Sequence, residues 1–165
     1  MMEELLASLG MALEMERKGR EFYFEAADRV EDRVVRSILV ALAHDEEAHE
    51  SVISRYYQAL QHQKGWPAAE GDLDALKSSH GEIKKIIKTT INRIGKDATF
   101  LSVYEVARDL ELRSYDFYQA RANGADDRNV REFFRFLAGV EQVHLTTLEL
   151  LLDATRGEAE AACGA

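Results

Sequence analysis

The most constraining feature of the sequence is an internal repeat with an offset of 95 residues. Shifting the chain by this offset places residues 13–50 over residues 108–145 without a gap, and 12 of the 38 aligned positions are identical. Unrelated segments of this length would share roughly two or three positions at ordinary residue frequencies. The chain is therefore expected to contain two copies of one structural unit.

The identical positions include polar and aromatic residues that a purely structural repeat would not require. They pair Glu16 with Glu111, Phe22 and Tyr23 with Phe117 and Tyr118, Asp32 and Arg33 with Asp127 and Arg128, Glu46 with Glu141, and His49 with His144.

Apolar residues recur at steps of three and four through both copies, which predicts amphipathic α-helices. Four helices are expected, at about residues 3–30, 32–63, 97–123 and 127–155. They form a first hairpin at about residues 3–63 and a second at about 97–155. This order predicts an all-α fold, a four-helix bundle made of two pseudo-symmetric hairpins joined by a long crossover.

The connections are read from their turn and helix-breaking residues. Gly65 and Pro67 should end the second helix, and a crossover should occupy about residues 64–96. Short helical stretches are expected around 72–78 and 82–94, and Asp97 is a plausible N-cap of the third helix. The tail, residues 156–165, is expected to fray.

Composition limits the classes of function. A chain of 165 residues is expected to form a single domain, residues 1–165. A formal net charge of −9 disfavours nucleic acid and anionic membranes, and no apolar run is long enough to span a bilayer. The N-terminus does not resemble a secretion signal, so the cytoplasm is the expected compartment. Cys163 is the only cysteine, which excludes a multi-cysteine metal site within the chain, and we interpret it as an incidental thiol.

The spacing of the repeated glutamates brings them together. Residue 31, in the first turn, is the midpoint between Glu16 and Glu46, so the two arms of the hairpin carry them to one height. Glu111 and Glu141 have the same relation to residue 126 in the second turn. Each pair should lie about 15 residues, or some 22 Å, from its turn. His49 and His144 follow their glutamates by three residues and share their helix face.

These side chains also fall on the apolar stripes that should form the core. Burying four ionised carboxylates without partners would cost several kcal/mol each, and two divalent cations would cancel their charge. The predicted metal ligands are Glu16, Glu46, His49, Glu111, Glu141 and His144. Carboxylate and imidazole ligands without thiolate suit iron or manganese, so two iron ions are expected, with manganese or a mixed pair as alternatives.

At this point the chain resembles the ferritin-like di-iron carboxylate proteins and, among them, the rubrerythrin family. The resemblance covers residues 3–155 and rests on EMERKGREFY with LAHDEEAH, and on ELRSYDFY with LAGVEQVH. It implies a peroxide reductase involved in oxidative stress, in which Glu46 and Glu141 bridge the two metals. Tyr23 and Tyr118 would then be hydrogen-bond donors close to the ligands.

The sequence departs from the family pattern in two places. The four cysteines of an appended rubredoxin domain are missing, so electrons are expected from a separate donor protein. Ser114 stands where rubrerythrins have an additional glutamate. The haem-binding methionine of bacterioferritins is also replaced, by Glu47 and Gln142, so no haem is expected.

Two functions remain open on this basis. The first is an oxidoreductase that reduces hydrogen peroxide or dioxygen at a carboxylate-bridged di-iron centre with an external electron donor. The alternative is a non-enzymatic iron-binding, storage or ferroxidase protein of the ferritin-like group. By resemblance a homodimer is expected. His44, His62 and His80 have no counterparts in the repeat and are interpreted as surface or linker residues.

Overall fold

The computed structural model describes residues 2–62, 64–67 and 99–163, without the side chains of residue 99 and residues 157–163. The four helices within these ranges are α1 (Met2–Arg29), α2 (Arg33–Gln61), α3 (Thr99–Gly124) and α4 (Arg128–Cys163). Helix α1 packs along α2, α3 packs along α4, and α1 also contacts α3. The predicted all-α four-helix bundle of two hairpins is confirmed.

Identical residues of the repeat build both hairpin turns. The Asp32 carboxylate caps α2 by accepting hydrogen bonds from the backbone N–H groups two and three residues further on, at 2.7 and 3.1 Å. Asp127 caps α4 in the same way and at the same distances. Arg36 then donates to the carbonyl of Val30, and its repeat partner Arg131 donates to the carbonyl of Ala125. Both turns thus satisfy backbone groups that a helix end leaves without partners.

Two hydrophobic clusters fill the bundle, one near each turn. The first-turn cluster contains Tyr23, Ala26, Ala27, Val30, Val35, Ile38, Leu39, Leu42, Ala43, Phe100, Tyr104, Ala107, Leu148, Leu151 and Leu152. The second-turn cluster contains Leu9, Ala12, Val52, Ile53, Tyr56, Leu60, Tyr118, Ala122, Phe133, Phe134, Leu137 and Ala138. Between them lies a layer of buried polar side chains.

The helix ends agree with the sequence at one place and differ at another. Helix α2 ends at Gln61, close to the expected stop, and Gly65 has a φ of 76°, which glycine adopts without strain. Helix α4 continues to Cys163, so the helix end predicted near Thr155 is wrong. The tail is rich in alanine and glutamate, which are strong helix formers and outweigh the single Gly157.

Several expectations lie outside the described residues. They are the course of the crossover after Pro67, its two short helices, the Asp97 cap and the position of His80. Among the described helices, none has the length and apolarity needed to cross a lipid bilayer.

Candidate metal centre

The buried polar layer contains all six side chains that the sequence predicted as metal ligands. They are Glu16 from α1, Glu46 and His49 from α2, Glu111 from α3, and Glu141 and His144 from α4. Each is at most 3% exposed. The equal distances from the two turns and the placement on buried stripes therefore bring these groups to one height, as expected.

The imidazole of His49 points one nitrogen at a group of carboxylates. Its Nδ1 lies 2.9 Å from Glu16 Oε2 and 3.2 Å from Glu46 Oε2. Glu141 Oε1 is 3.8 Å from the same nitrogen. Donor atoms around one cation lie roughly 3 Å apart when each is about 2.1 Å from it, so this spacing suits a shared ion.

The imidazole of His144 repeats the arrangement in the other half. Its Nδ1 lies 3.1 Å from Glu46 Oε1 and 3.4 Å from Glu111 Oε2. Glu141 Oε2 is again 3.8 Å away. The two imidazole rings are stacked with their centroids 5.4 Å apart. Both histidines therefore offer Nδ1 to the carboxylates between them.

The donor atoms form two overlapping sets, each within a span of 4.8 Å. One set is Glu16, Glu46, His49 and Glu141, and the other is Glu46, Glu111, Glu141 and His144. Glu46 and Glu141 belong to both sets. A pair of cations held by these sets would share two carboxylates, which is the arrangement of di-metal carboxylate bundles.

Glu141 provides a test of whether a cation fits. Neither of its carboxylate oxygens accepts a hydrogen bond from an amide, hydroxyl or imidazole group of the described residues. Its side chain is 1% exposed, so water does not reach these atoms from bulk solvent. A buried carboxylate without donors is costly, and a cation between the two donor sets would satisfy both oxygens. The residues present therefore fit a metal pair.

The pKa values show how negative the layer is. Burial, followed by the charge of Glu46, raises the pKa of Glu16 to about 8. Burial and the charges of Glu16 and Glu111 hold the pKa of Glu141 well above its usual range. For His49, burial lowers the pKa, but Glu16 and Glu46 outweigh it and raise the pKa to about 10. Glu16, Glu141 and His49 thus retain protons strongly, and metal ions would compete with these protons for the same atoms.

Two tyrosines connect the hairpins at the edges of the layer. The Tyr23 hydroxyl, on α1, donates a hydrogen bond to Glu111 Oε1 on α3. The Tyr118 hydroxyl, on α3, donates to Glu16 Oε1 on α1. Both tyrosines are fully buried, and each holds a carboxylate of the opposite hairpin. This places both hydroxyls beside predicted ligands, where the sequence expected them.

Asp45 is a member of the polar layer that the sequence analysis missed. It is 1% exposed, and its Oδ2 accepts a hydrogen bond of 2.8 Å from His144 Nε2. The available signal was its position four residues before His49, on the same helix face. Its partner in the repeat is Val140, so a search restricted to repeated polar residues discards it.

The comparisons with known proteins agree with this geometry. The family model described as Rubrerythrin matches residues 8–152, most of the chain. The chain belongs to the rubrerythrin family. No curated protein and no solved structure matches it significantly.

The matched region of this rubrerythrin-family chain includes the six predicted ligands, both tyrosines and Asp45. The two other histidines that the structure describes, His44 and His62, are exposed, as predicted for residues outside the site.

One glycine lies close enough to the layer to matter. A Cβ at Gly19 would sit 3.4 Å from the Cγ and Cδ atoms of Glu46, which is ordinary contact with little space left. Its repeat partner is Ser114, which is half-buried. A side chain larger than a methyl group at residue 19 would therefore press on Glu46.

Proposed function

We propose that this rubrerythrin-family protein is a di-iron oxidoreductase that reduces hydrogen peroxide or dioxygen and is re-reduced by an external electron donor. The observation that supports it most is the pair of overlapping donor sets that share Glu46 and Glu141. A single mononuclear site would not need two shared carboxylates. Family membership supports the same chemistry.

The proposed ligands are Glu16, Glu46, His49, Glu111, Glu141 and His144. Four carboxylates balance two divalent cations in charge, so a loaded site would be close to neutral. Oxygen and imidazole donors without thiolate favour iron or manganese over softer metals. We propose iron, and manganese or a mixed pair would fit the same donors.

Two ferrous ions bound here would supply the two electrons that convert hydrogen peroxide and two protons into two molecules of water. The chain contributes the surroundings. Tyr23 and Tyr118 fix the orientation of the carboxylates they touch, so that their oxygens need not reorganise when an ion binds. The hydrophobic clusters on either side exclude bulk water from the layer.

The sequence has one cysteine, so it lacks the four cysteines of a rubredoxin centre. We therefore propose a separate electron-donor protein. We also propose that the protein acts in the cytoplasm as a homodimer. Light scattering coupled to gel filtration would measure the mass of the assembly.

The direct test combines metal counting with a peroxide titration. Protein loaded anaerobically with ferrous iron should hold about two ions per chain and consume one peroxide per iron pair, because each peroxide takes two electrons. The ferric protein should then return to its starting spectrum when a chemical reductant is added. Binding of far less than two ions per chain would contradict the proposal.

Sustained turnover separates the oxidoreductase from an iron store. With excess reductant and an electron-transfer protein, an oxidoreductase keeps consuming peroxide at constant iron content. A storage or ferroxidase protein instead stops when its iron is oxidised, and its iron content rises with each addition of ferrous salt. Constant iron content with repeated peroxide consumption is the expected result.

A further inference from the structure

Asp45 breaks the symmetry of an otherwise duplicated site. The six predicted ligands and both tyrosines occur in pairs at an offset of 95 residues, whereas Asp45 corresponds to Val140. Val140 is buried too, at 3% exposure, and provides no hydrogen-bonding side chain. Among the residues that the structure describes, the layer thus contains one additional carboxylate on the α2 side and none on the α4 side.

The additional carboxylate lies at different distances from the two imidazoles. Asp45 Oδ2 is 2.8 Å from His144 Nε2, within hydrogen-bonding distance. The same oxygen is 3.8 Å from His49 Nε2, beyond that distance. Both histidines are fully buried.

The position of Nδ1 determines what the other nitrogen does. Nδ1 of each histidine faces the carboxylates that would hold an ion, so an ion would take the lone pair of Nδ1. The proton of a neutral imidazole then resides on Nε2. In His144 this proton is donated to Asp45, which fixes the tautomer and the ring orientation and makes Nδ1 a stronger ligand.

We propose that Asp45 makes the two metal positions inequivalent, so that the position beside His144 and Glu111 fills before the position beside His49 and Glu16. Asp45 is a positioning residue in this proposal, since it acts through the imidazole and does not contact the ion. The inference rests on the proposed function only in requiring that the site binds two metal ions.

The test is a stepwise metal titration of the metal-free protein under anaerobic conditions with Co²⁺, whose visible bands report each step. The wild type should bind two ions in two resolved steps. Asp45→Asn keeps the shape of the side chain but weakens the acceptor. It should weaken the first step by about 10- to 100-fold and change the second step by much less. Asp45→Ala should have the same effect or a larger one.

Variants of the two histidines assign the steps to positions. His49→Ala should retain the tight step, because the position beside His144 keeps all its ligands. His144→Ala should lose the tight step and retain a weak one. The reverse assignment would overturn the proposal.

A substitution at the repeat-related position provides the matched gain of function. Val140→Asn places a neutral acceptor where the repeat symmetry directs it toward His49 Nε2, without a second buried charge near Asp45. The second step should tighten, and the two steps should approach each other. A shift in the bands of the second step alone would show that His49 is the residue affected.

Two results would overturn the inference and leave the proposed function standing. One is a wild type and an Asp45→Asn variant that bind two ions with the same pair of affinities. The other is a third ion that binds wild type and is lost in Asp45→Asn. In that case Asp45 would itself be a ligand, together with both Nε2 atoms, which lie within reach of one ion. Absence of any Co²⁺ binding to folded wild type would instead remove the proposed function. Far-UV circular dichroism of each metal-free variant checks that it is folded.

Discussion

The two ends of the bundle are built from repeat-related positions, yet at several of them an aliphatic side chain at one end corresponds to an aromatic one at the other. Near the first turn these positions contain Ile38, Leu39 and Leu151, and near the second turn they contain Phe133, Phe134 and Tyr56. The aromatic rings contact one another in a row, tilted with centroids 4.3 Å apart for Tyr56 and Phe133 and edge to face with centroids 5.5 Å apart for Phe133 and Phe134.

The polar layer between these ends is different, because its glutamates, histidines and tyrosines are identical in both halves. A hydrophobic core tolerates exchange of apolar side chains if the volume is filled. A set of ligands does not, since each donor atom must stay at a fixed distance from an ion. The contrast indicates that the layer is where the chemistry lies and that the ends mainly supply packing.

The largest expected effect comes from removing a shared carboxylate. Glu46→Ala and Glu141→Ala should each reduce the bound metal from about two ions per chain to well below one, because both donor sets lose a ligand. Glu16→Ala and Glu111→Ala should each retain about one ion, since only one set is damaged. Metal analysis after gel filtration measures both results.

The matched control for these variants is Glu14→Ala, because Glu14 lies two residues before Glu16 but is exposed and paired with Arg17 and Lys18. Its metal content should equal that of the wild type. Equal losses in Glu46→Ala and Glu16→Ala would contradict the assignment of shared and unshared carboxylates.

A second prediction concerns the pH dependence of the metal-free protein. The pKa of Glu16 is raised from 4.5 to about 8, so the folded protein keeps a proton that the unfolded chain loses above pH 4.5. The pKa of His49 is raised from 6.5 to about 10, so its contribution is present below pH 6.5 and lost as the pH rises toward 10. The free energy of unfolding should therefore fall from pH 5 to pH 9. The slope is roughly 1.4 kcal/mol per pH unit for each proton that the folded protein holds and the unfolded chain does not.

Metal binding should remove most of this slope, because ions take the place of the protons. Urea unfolding of metal-free and metal-loaded protein at pH 5, 7 and 9 measures the free energy of unfolding in each state. The stabilisation by metal should be larger at pH 9 than at pH 5. A metal-free protein whose stability is flat over this range would show that Glu16 and His49 do not hold their protons.

The third prediction compares the two tyrosines across the symmetry of the site. Tyr23→Phe and Tyr118→Phe each remove a hydrogen bond to a buried carboxylate and should lower the free energy of unfolding by about 1.5–3 kcal/mol. The two losses should agree closely because the contacts are equivalent. Unfolding of the metal-free variants in urea gives both values.

Tyr104→Phe is the control for the tyrosines. Tyr104 is also fully buried, but its hydroxyl has no hydrogen-bond partner in the part of the chain that the structure describes. Removing this hydroxyl should change stability by less than about 0.5 kcal/mol. A much larger loss of unfolding free energy for Tyr23→Phe than for Tyr118→Phe would mean that the two hydrogen bonds do not contribute equally to stability.

The burial and convergence of the six candidate ligands could be predicted from the sequence, and their surroundings could not. Glu46 and His49 were accessible because the repeat, the distance to the turn and the apolar stripe all identify them. Asp45 also lies on the apolar stripe, but it has no repeat partner. Neither the repeat nor the distance to the turn therefore identifies it. The carboxylate that each tyrosine touches depends on the contact between α1 and α3, which is a matter of tertiary packing that periodicity does not encode.

The smallest effects are expected at the turns, where the two halves again use the same residues in different surroundings. Asp32→Ala and Asp127→Ala each remove an N-cap and should cost about 1 kcal/mol of unfolding free energy. Asp32 is half-buried whereas Asp127 is exposed, so the loss should be larger at Asp32, where water replaces the cap less readily.

The turns lie some 22 Å from the glutamates. Metal content should therefore stay at the wild-type value in both variants, and the double variant should lose the sum of the two single effects. Loss of metal in either variant would show that the turn sets the register of the ligands and does more than end a helix.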